Sequence, residues 1–549
     1  MNILIAIPRY NATDQADYDY PFPLGLAYIS TILKKAGYNV DCLNLNHLDG
    51  YVRDLIAEQL DTKKYDIVCT GNNAFGYRLT ELMINTCRDH PSSPRVILGG
   101  PIITTEPELV FRELKPDFGV IGEGEQTIVE LLATIRDKTD MTGVNGIIFA
   151  DGEGKVVKTE KRKPIMDLDT IPLPDFASFG FVEQLDNTHP NKSYYTNFFN
   201  HPRVYPLLAS RSCPYQCTFC YHDTMYRKRS MENIMEELET MVRRYRINIL
   251  MIYDDCFSAD KERLYEFCRK IKKLSEKVGW DIKWTCQLRV ESVDKKLLDT
   301  MKDAGCGAIS YGFESYSAKV LKSMKKYVTP EQIDRAFSET IKAKISVQGN
   351  FIFGDVAETV ETAKETLEYW KKKCAGQFML GFIQPYPGSK IYEHCIEKGI
   401  IKDKLDFIKN NVGFSYLNMT DKMADKELDD LKKEVMIANS RYVRYVIPDR
   451  IKKEKKGTFR FMATCPFCDE KSVYKNCKFS NRVAFGFFMI CRNCYKRYYV
   501  VSLLYKIGYK CFQLPVLRDM IAYYLHVKNS PKKLGMSPIS RIRSWFASS

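Results

Sequence analysis

Ser212-Cys213-Pro214-Tyr215-Gln216-Cys217-Thr218-Phe219-Cys220 follows directly on an apolar run, residues 204–209, that reads as a β-strand. Its three cysteines, spaced C-x3-C-x2-C at the C-terminal end of that strand, are arranged to hold three irons of a 4Fe–4S cube. The fourth iron would then lack a protein ligand and stand open to a substrate. The same thiols could instead bind zinc, which wants four ligands, with His222 as the fourth. The chain has 18 cysteines in 549 residues. Its first eight residues read as a strand and not as a signal peptide, and no apolar run approaches the roughly 18 residues that span a bilayer. A cytoplasmic location is therefore expected, where clustered thiols are metal ligands sooner than disulfides.

Downstream of the loop, strands alternate with helices. Residues 249–253, 283–290, 308–313, 345–353 and 377–384 read as strands, with helices such as 231–244, 261–277 and 361–373 between them. Six βα units are fewer than the eight of a closed barrel. They predict a partial (βα)6 TIM-type barrel with its chemistry at the C-terminal strand ends. Polar residues fall at that end of successive strands: Asp254 and Asp255, then Arg289, then Glu314. An acid there is often only a helix cap, and that alternative stands for Asp255 and Glu314.

With these motifs the region resembles the radical S-adenosylmethionine (SAM) superfamily, whose hallmark is this cysteine spacing with an aromatic, here Phe219, before the third cysteine. The resemblance runs through residues 196–405. It implies a 4Fe–4S cluster on Cys213, Cys217 and Cys220, SAM as cofactor, and reductive cleavage of SAM to a deoxyadenosyl radical. It places Asp254 and Asp255 near the methionine amino group, Arg289 near the carboxylate and Glu314 near the ribose. Gly349 to Gly354 and Gln384-Pro385-Tyr386-Pro387-Gly388 look like the family's fifth and sixth strand ends. A reducing partner such as flavodoxin or ferredoxin is also implied.

Residues 1–140 alternate strand (2–8, 39–45, 66–70, 95–98, 118–121) with helix, which predicts a Rossmann-like doubly wound α/β domain. No G-x-G-x-x-G follows the first strand, so a dinucleotide site lacks its motif. Tyr20-Pro21-Phe22-Pro23-Leu24-Gly25-Leu26-Ala27-Tyr28-Ile29, Leu98-Gly99-Gly100-Pro101 and Ile121-Gly122-Glu123-Gly124-Glu125 are similar to segments of the cobalamin domain of cobalamin-dependent radical SAM enzymes. Gly99, Gly100, Gly122 and Gly124 would let the backbone approach that bulky ligand. One departure matters. Mutase-type cobalamin domains supply a cobalt ligand from Asp-x-His-x-x-Gly after the first strand, and residues 9–19 hold no histidine. His47 and His90 read as surface or satisfied polar residues, so cobalamin is expected to bind without an imidazole on cobalt. Residues 141–195 read as a hairpin around Asp151-Gly152 and a proline-rich linker, 164–174.

Residues 406–458 read as a charged helical extension, 459–500 as a zinc-ribbon-like module and 501–549 as a basic aromatic tail. Cys465-Pro466-Phe467-Cys468 and Cys491-Arg492-Asn493-Cys494 are two C-x2-C knuckles suited to one tetrahedral zinc. An auxiliary iron–sulfur cluster is the alternative, and Cys477 reads as a spare thiol. The net charge of +14 is concentrated here: 23 Lys or Arg against 5 Asp or Glu from residue 441 onward, and 59 against 63 before it. With Tyr495, Tyr498, Tyr499, Tyr505 and Tyr509, such basicity suits RNA, an acidic protein, an anionic membrane surface or an anionic substrate. A solvated face with no partner is the plain alternative. The chain as a whole reads as a cobalamin-dependent radical SAM enzyme transferring a methyl group to an unactivated carbon or a phosphinate. Ring closure, rearrangement or oxidation without methyl transfer is the rival. A non-catalytic basic binding protein would leave the C-x3-C-x2-C loop unexplained.

Overall fold

Short β-branched and apolar runs, each closed by a glycine, proline or polar turn, form the strands of this α/β chain. The structure is a computed structural model that describes residues 1–511 except 12, 223, 224, 414–416 and 480–482. It divides into two units. The first comprises Met1–Tyr311, Met324–Lys326 and Pro385–Val412; the second comprises Gly312–Ser323, Tyr327–Gln384 and the chain from Gly413.

The front of the first unit is a sheet of β1 (Asn2–Ile7), β2 (Asn39–Asn44), β3 (Ile67–Gly71), β4 (Arg95–Gly99), β5 (Phe118–Val120), β6 (Ile147–Ala150) and β7 (Val156–Lys158), in the order β2-β1-β3-β4-β5-β6-β7. β1 to β5 are parallel. β1 is buried along almost its whole length, as a strand with both faces covered must be. The hairpin β6–β7 runs antiparallel and extends the edge beyond β5. It therefore belongs to the front sheet and not to a separate linker, because Ile147, Ile148 and Phe149 are apolar enough to be buried there. Strand order reverses direction between β1 and β3, which opens a crevice at their carboxyl ends.

The same unit continues with β8 (Val204–Leu207), the short antiparallel pair β9 (Ser210–Arg211) and β10 (Arg227–Lys228), then β11 (Ile249–Ile252), β12 (Lys283–Leu288) and β13 (Cys306–Glu314). Their order is β13-β12-β11-β8, all parallel. The intervening helices follow from local sequence. In Met231–Tyr245, Ser230 Oγ accepts from the Asn233 amide at 3.1 Å as the cap. Ile234, Leu238, Met241, Val242 and Tyr245 then recur at helical spacing on the buried side.

In the second unit the end of β13 neighbours β14 (Ser346–Phe353), which pairs in parallel with β15 (Met379–Phe382). The helix Asp425–Tyr442 ends ahead of Tyr445-Val446-Ile447-Pro448, where β-prone residues and a proline stop it. The C-terminal module thus begins earlier than residue 459. Its strands are β16 (Tyr445–Val446), β17 (Asp449–Lys453), β18 (Phe459–Thr464), β19 (Lys471–Cys477), β20 (Gly486–Ile490) and β21 (Arg497–Val501). They form two three-stranded sheets, β16-β21-β20 and β17-β18-β19, over a core of Phe461, Tyr474, Phe485, Met489 and Tyr498. The Gln377 amide ties the module to the approach to β15: its Nε2 donates to the Arg497 carbonyl and its Oε1 accepts from the Arg497 amide, each at 2.8 Å. Most of the basic tail, from residue 512, lies outside the described residues. Among those described, no helix is long and apolar enough to cross a membrane.

Candidate active site and metal centres

β8 delivers the cysteine loop and three anchors hold it. Ser212 takes a left-handed backbone, φ +65°. The Thr218 amide donates to the Met324 carbonyl at 3.1 Å, and the Thr218 carbonyl accepts from the Ile391 amide at 3.0 Å. The Arg289 guanidinium lies 3.7 Å from the centre of the Tyr215 ring, a cation–π contact inside the motif itself. Cys217 is buried, Cys213 partly so, and Cys220 exposed. Cys256, outside the motif, is hydrogen-bonded to Cys213; that bond and burial push the Cys213 thiol up.

Ligand spacing separates the two cysteine sites. Among the described residues, the potential ligands that all lie within 4.8 Å of one another are Cys465, Cys468, Cys491 and Cys494. The loop thiols do not make such a group, with or without His222. Three thiolates that cap separate irons stand further apart than four ligands on one ion, so a loop outside that close group is consistent with a cube. In the knuckles Cys465 and Cys494 sulfurs are 3.7 Å apart, and those of Cys468 and Cys491 3.6 Å. Four thiolates about 2.3 Å from one tetrahedral ion would be about 3.8 Å apart.

The polar strand-end residues are placed differently from one another. Asp254 turns inward: its carboxylate accepts from the Ala209 amide at 2.7 Å and from Ser210 Oγ at 2.6 Å, pinning β8 to β11. Burial raises its carboxyl to about 6. Asp255 faces the front cavity, and crowding by protein on its other sides raises its pKa. Arg289, buried, is bonded to the Glu291 carboxylate and the Lys326 carbonyl besides stacking on Tyr215. Glu314 closes β13 in the second unit with φ +61°, a left-handed backbone uncommon for a glutamate.

Glu358, just beyond β14, was not singled out by the sequence. One oxygen accepts from the Gly354 amide at 2.5 Å, and the other is buried with no partner. Burial raises this carboxyl to about 8, from an ordinary 4.5. Between those values the folded chain keeps a proton that the unfolded chain has released, so stability falls as pH rises through the window. Relative to Glu358→Gln, the wild type should lose about 3 kcal/mol between pH 5.5 and 8, at about 1.36 kcal/mol per unit. Urea unfolding of both proteins at the two pH values measures this; a difference that does not change with pH would refute it.

A cavity of about 1030 Å³ opens at the carboxyl ends of the front strands. Its walls include Asn72, Gly99, Gly100, Gly122, Gly124 and, from the barrel strands of the same unit, Ser212, Tyr253 and Asp255. At Gly100, φ is +84° and a Cβ would stand 2.8 Å from the Asn72 carbonyl oxygen, so only glycine fits this part of the wall. The cavity thus fits a large ligand lying against backbone. Among the described residues that line it there is no histidine. His47 has Nε2 2.8 Å from the Tyr20 hydroxyl and Nδ1 3.2 Å from Glu183. His90 is bonded to Ser92 and Asp61. The histidine-free loop is folded by buried Arg9, whose guanidinium donates to the carbonyls of Thr13, Leu45, Leu48 and Gly50 at 2.6–3.1 Å.

Residues 207–369 match the radical SAM superfamily and residues 15–132 the B12 binding domain. An uncharacterized methyltransferase of Pyrococcus horikoshii is 28% identical, over 69% of this chain and 79% of its own. The anaerobic magnesium-protoporphyrin IX monomethyl ester cyclase of Rubrivivax gelatinosus is 28% identical, over 75% and 72%. Among solved structures, the radical SAM methyltransferase TsrM of Kitasatospora setae, with cobalamin and a [4Fe-4S] cluster bound, shares the fold with a TM-score of 0.57 at 18% identity, over 72% of this chain and 75% of that one. The cysteine loop at a barrel strand end and the superfamily match make this chain a radical SAM enzyme. It is one that carries a B12-binding domain ahead of the radical domain, and these relationships support a 4Fe–4S cluster, SAM and cobalamin as its cofactors.

Proposed function

We propose that this protein is a cobalamin-dependent radical SAM methyltransferase acting on an unactivated carbon or a phosphinate. The observation that carries the reading is the single cavity shared by the glycine-lined ends of the front strands and by Ser212 and Asp255 beside the cysteine loop. A ligand held against Gly99, Gly100, Gly122 and Gly124 is thereby presented to whatever binds at the loop. When bound, the cluster supplies an electron for SAM cleavage and cobalamin carries a methyl group. Cys213, Cys217 and Cys220 hold the cluster. Asp255, open to the cavity, is placed to receive the SAM ammonium, while Glu314 is assigned to the ribose. Asp254 and Arg289 act one step back: Asp254 fixes the strand ends and Arg289 fixes the loop through Tyr215. In the C-terminal module the four knuckle thiols hold one zinc, as a zinc ribbon does; their spacing supports a single ion over a cluster.

The similarity to a cyclase supports a second reading, radical ring closure or oxidation without methyl transfer. Anaerobic reconstitution with iron, sulfide and cobalamin, followed by SAM and a chemical reductant, separates the two. Methyl transfer yields S-adenosylhomocysteine together with 5′-deoxyadenosine. Deoxyadenosine alone would overturn it in favour of the second reading.

A further inference from the structure

Glu123 and Glu125 open the helix Gly124–Asp137 just after β5, and both line the front cavity. The glycines beside them answer to backbone approach; the acids need another reason. Capping is not that reason, because the Glu123 side chain makes no cap bond to the helix.

Two arginines from the strand pair that brackets the cysteine loop meet these acids within the first unit. Arg211, two residues before Cys213, puts Nη1 2.9 Å from Glu123 Oε1 and Nη2 2.5 Å from Glu125 Oε1. Its guanidinium also lies 5.6 Å from the Tyr28 ring, again on the front domain. Arg227, on β10, reaches Glu123 at 2.9 Å through both Nη atoms and donates to the Ile165 carbonyl at 2.6 Å. The Ile165 amide in turn donates to Glu123 Oε2 at 2.7 Å. The last turn of the front sheet, the segment after the hairpin and the strands flanking the cluster loop are thus bonded in one group. All four side chains are at most 16% exposed and their charges cancel.

A buried group of this kind adds little net stability over apolar packing, but a planar guanidinium spanning two carboxylates fixes orientation as well as distance. We propose that Arg211, Glu123, Glu125 and Arg227 are positioning residues that set the register between the front cavity and the cysteine loop. A cofactor in the cavity and SAM at the loop are thereby held at reacting distance. The inference rests on the proposed function for the identity of those two ligands and goes beyond it in assigning the alignment to these side chains.

The test uses the full chain carrying cluster and cobalamin, as wild type, Arg211→Met, Arg211→Lys and Glu125→Gln. Pulsed electron paramagnetic resonance between cob(II)alamin and the reduced cluster reads the distance distribution directly. It should be narrow in the wild type, broad in Arg211→Met and Glu125→Gln, and partly restored in Arg211→Lys, which keeps the charge but not the fork. S-adenosylhomocysteine formation should fall about 100-fold in the first two, the cost of a misplacement of about 1 Å, and 5′-deoxyadenosine formation far less. An unchanged distribution in Arg211→Met and Glu125→Gln overturns the inference. So does parallel loss of both products with loss of iron or cobalamin, which would make the ion pairs structural only. A wild type with a narrow distribution but no S-adenosylhomocysteine would refute methyl transfer and leave the register standing. A wild type that takes up no cobalamin would overturn both.

Discussion

Replacing Cys213, Cys217 and Cys220 with alanine should abolish the broad visible absorbance of the reconstituted protein and reduce 5′-deoxyadenosine formation to background. The expected loss is complete because reductive cleavage needs the iron that these three thiols leave open. The loop thiols lie at the end of β8 on a backbone anchored by Thr218, and the C-x3-C-x2-C motif leaves one iron open to SAM. Cys256, bonded to Cys213 but outside the motif, serves as the control: Cys256→Ala should keep the cluster. Iron and sulfide analysis of the two variants, with chromatography of the SAM products, measures both effects. Reductive cleavage of SAM by the triple variant would sink the assignment of the cluster to this loop.

Metal removal from the C-terminal module should have the largest effect on stability. The module has a small core, and its two knuckles bring four thiols within tetrahedral reach. Structural zinc in such small domains contributes about 10–16 kcal/mol of apparent binding energy, more than a core of this size supplies unaided. Cys465→Ser with Cys491→Ser should therefore remove about one zinc per chain and render residues 445–501 sensitive to protease, while barrel iron stays. Because Gln377 is bonded to Arg497, protection should also fall in the segment entering β15. Metal analysis and hydrogen exchange follow both. Two or more irons per module would identify a cluster there; retained protection without metal would show that the core suffices.

The sequence reading and the structure agree where chemistry is carried by contiguous residues. The six barrel strands lie within a few residues of their expected places, from residues 204–209 (Val204–Leu207) to residues 377–384 (Met379–Phe382). Apolar runs and turn residues are local signals, and a strand needs little else to declare itself. The hairpin around Asp151-Gly152 was legible as a hairpin, but its attachment to β5 was not, since pairing partners lie in no local pattern. The helical reading of residues 406–458 failed after Tyr442 because Lys452 and Lys453 are exposed edge-strand residues, where high charge masks β character.

The cofactor class and the domain order are determined by the sequence alone: C-x3-C-x2-C after a strand, glycine pairs at strand ends, and two C-x2-C knuckles are short motifs whose spacing is their chemistry. Only the tertiary structure decided what individual polar side chains do. Asp254 and Asp255 are neighbours in sequence, yet the first is bonded into the β8 end and the second faces the cavity, because alternate residues at a strand end point to opposite sides. Glu123 and Arg211 are separated by 88 residues, and no periodicity or composition links them. Their pairing exists because two domains pack so that a buried carboxylate must find a guanidinium, a requirement of desolvation that is met in space and leaves no trace along the chain.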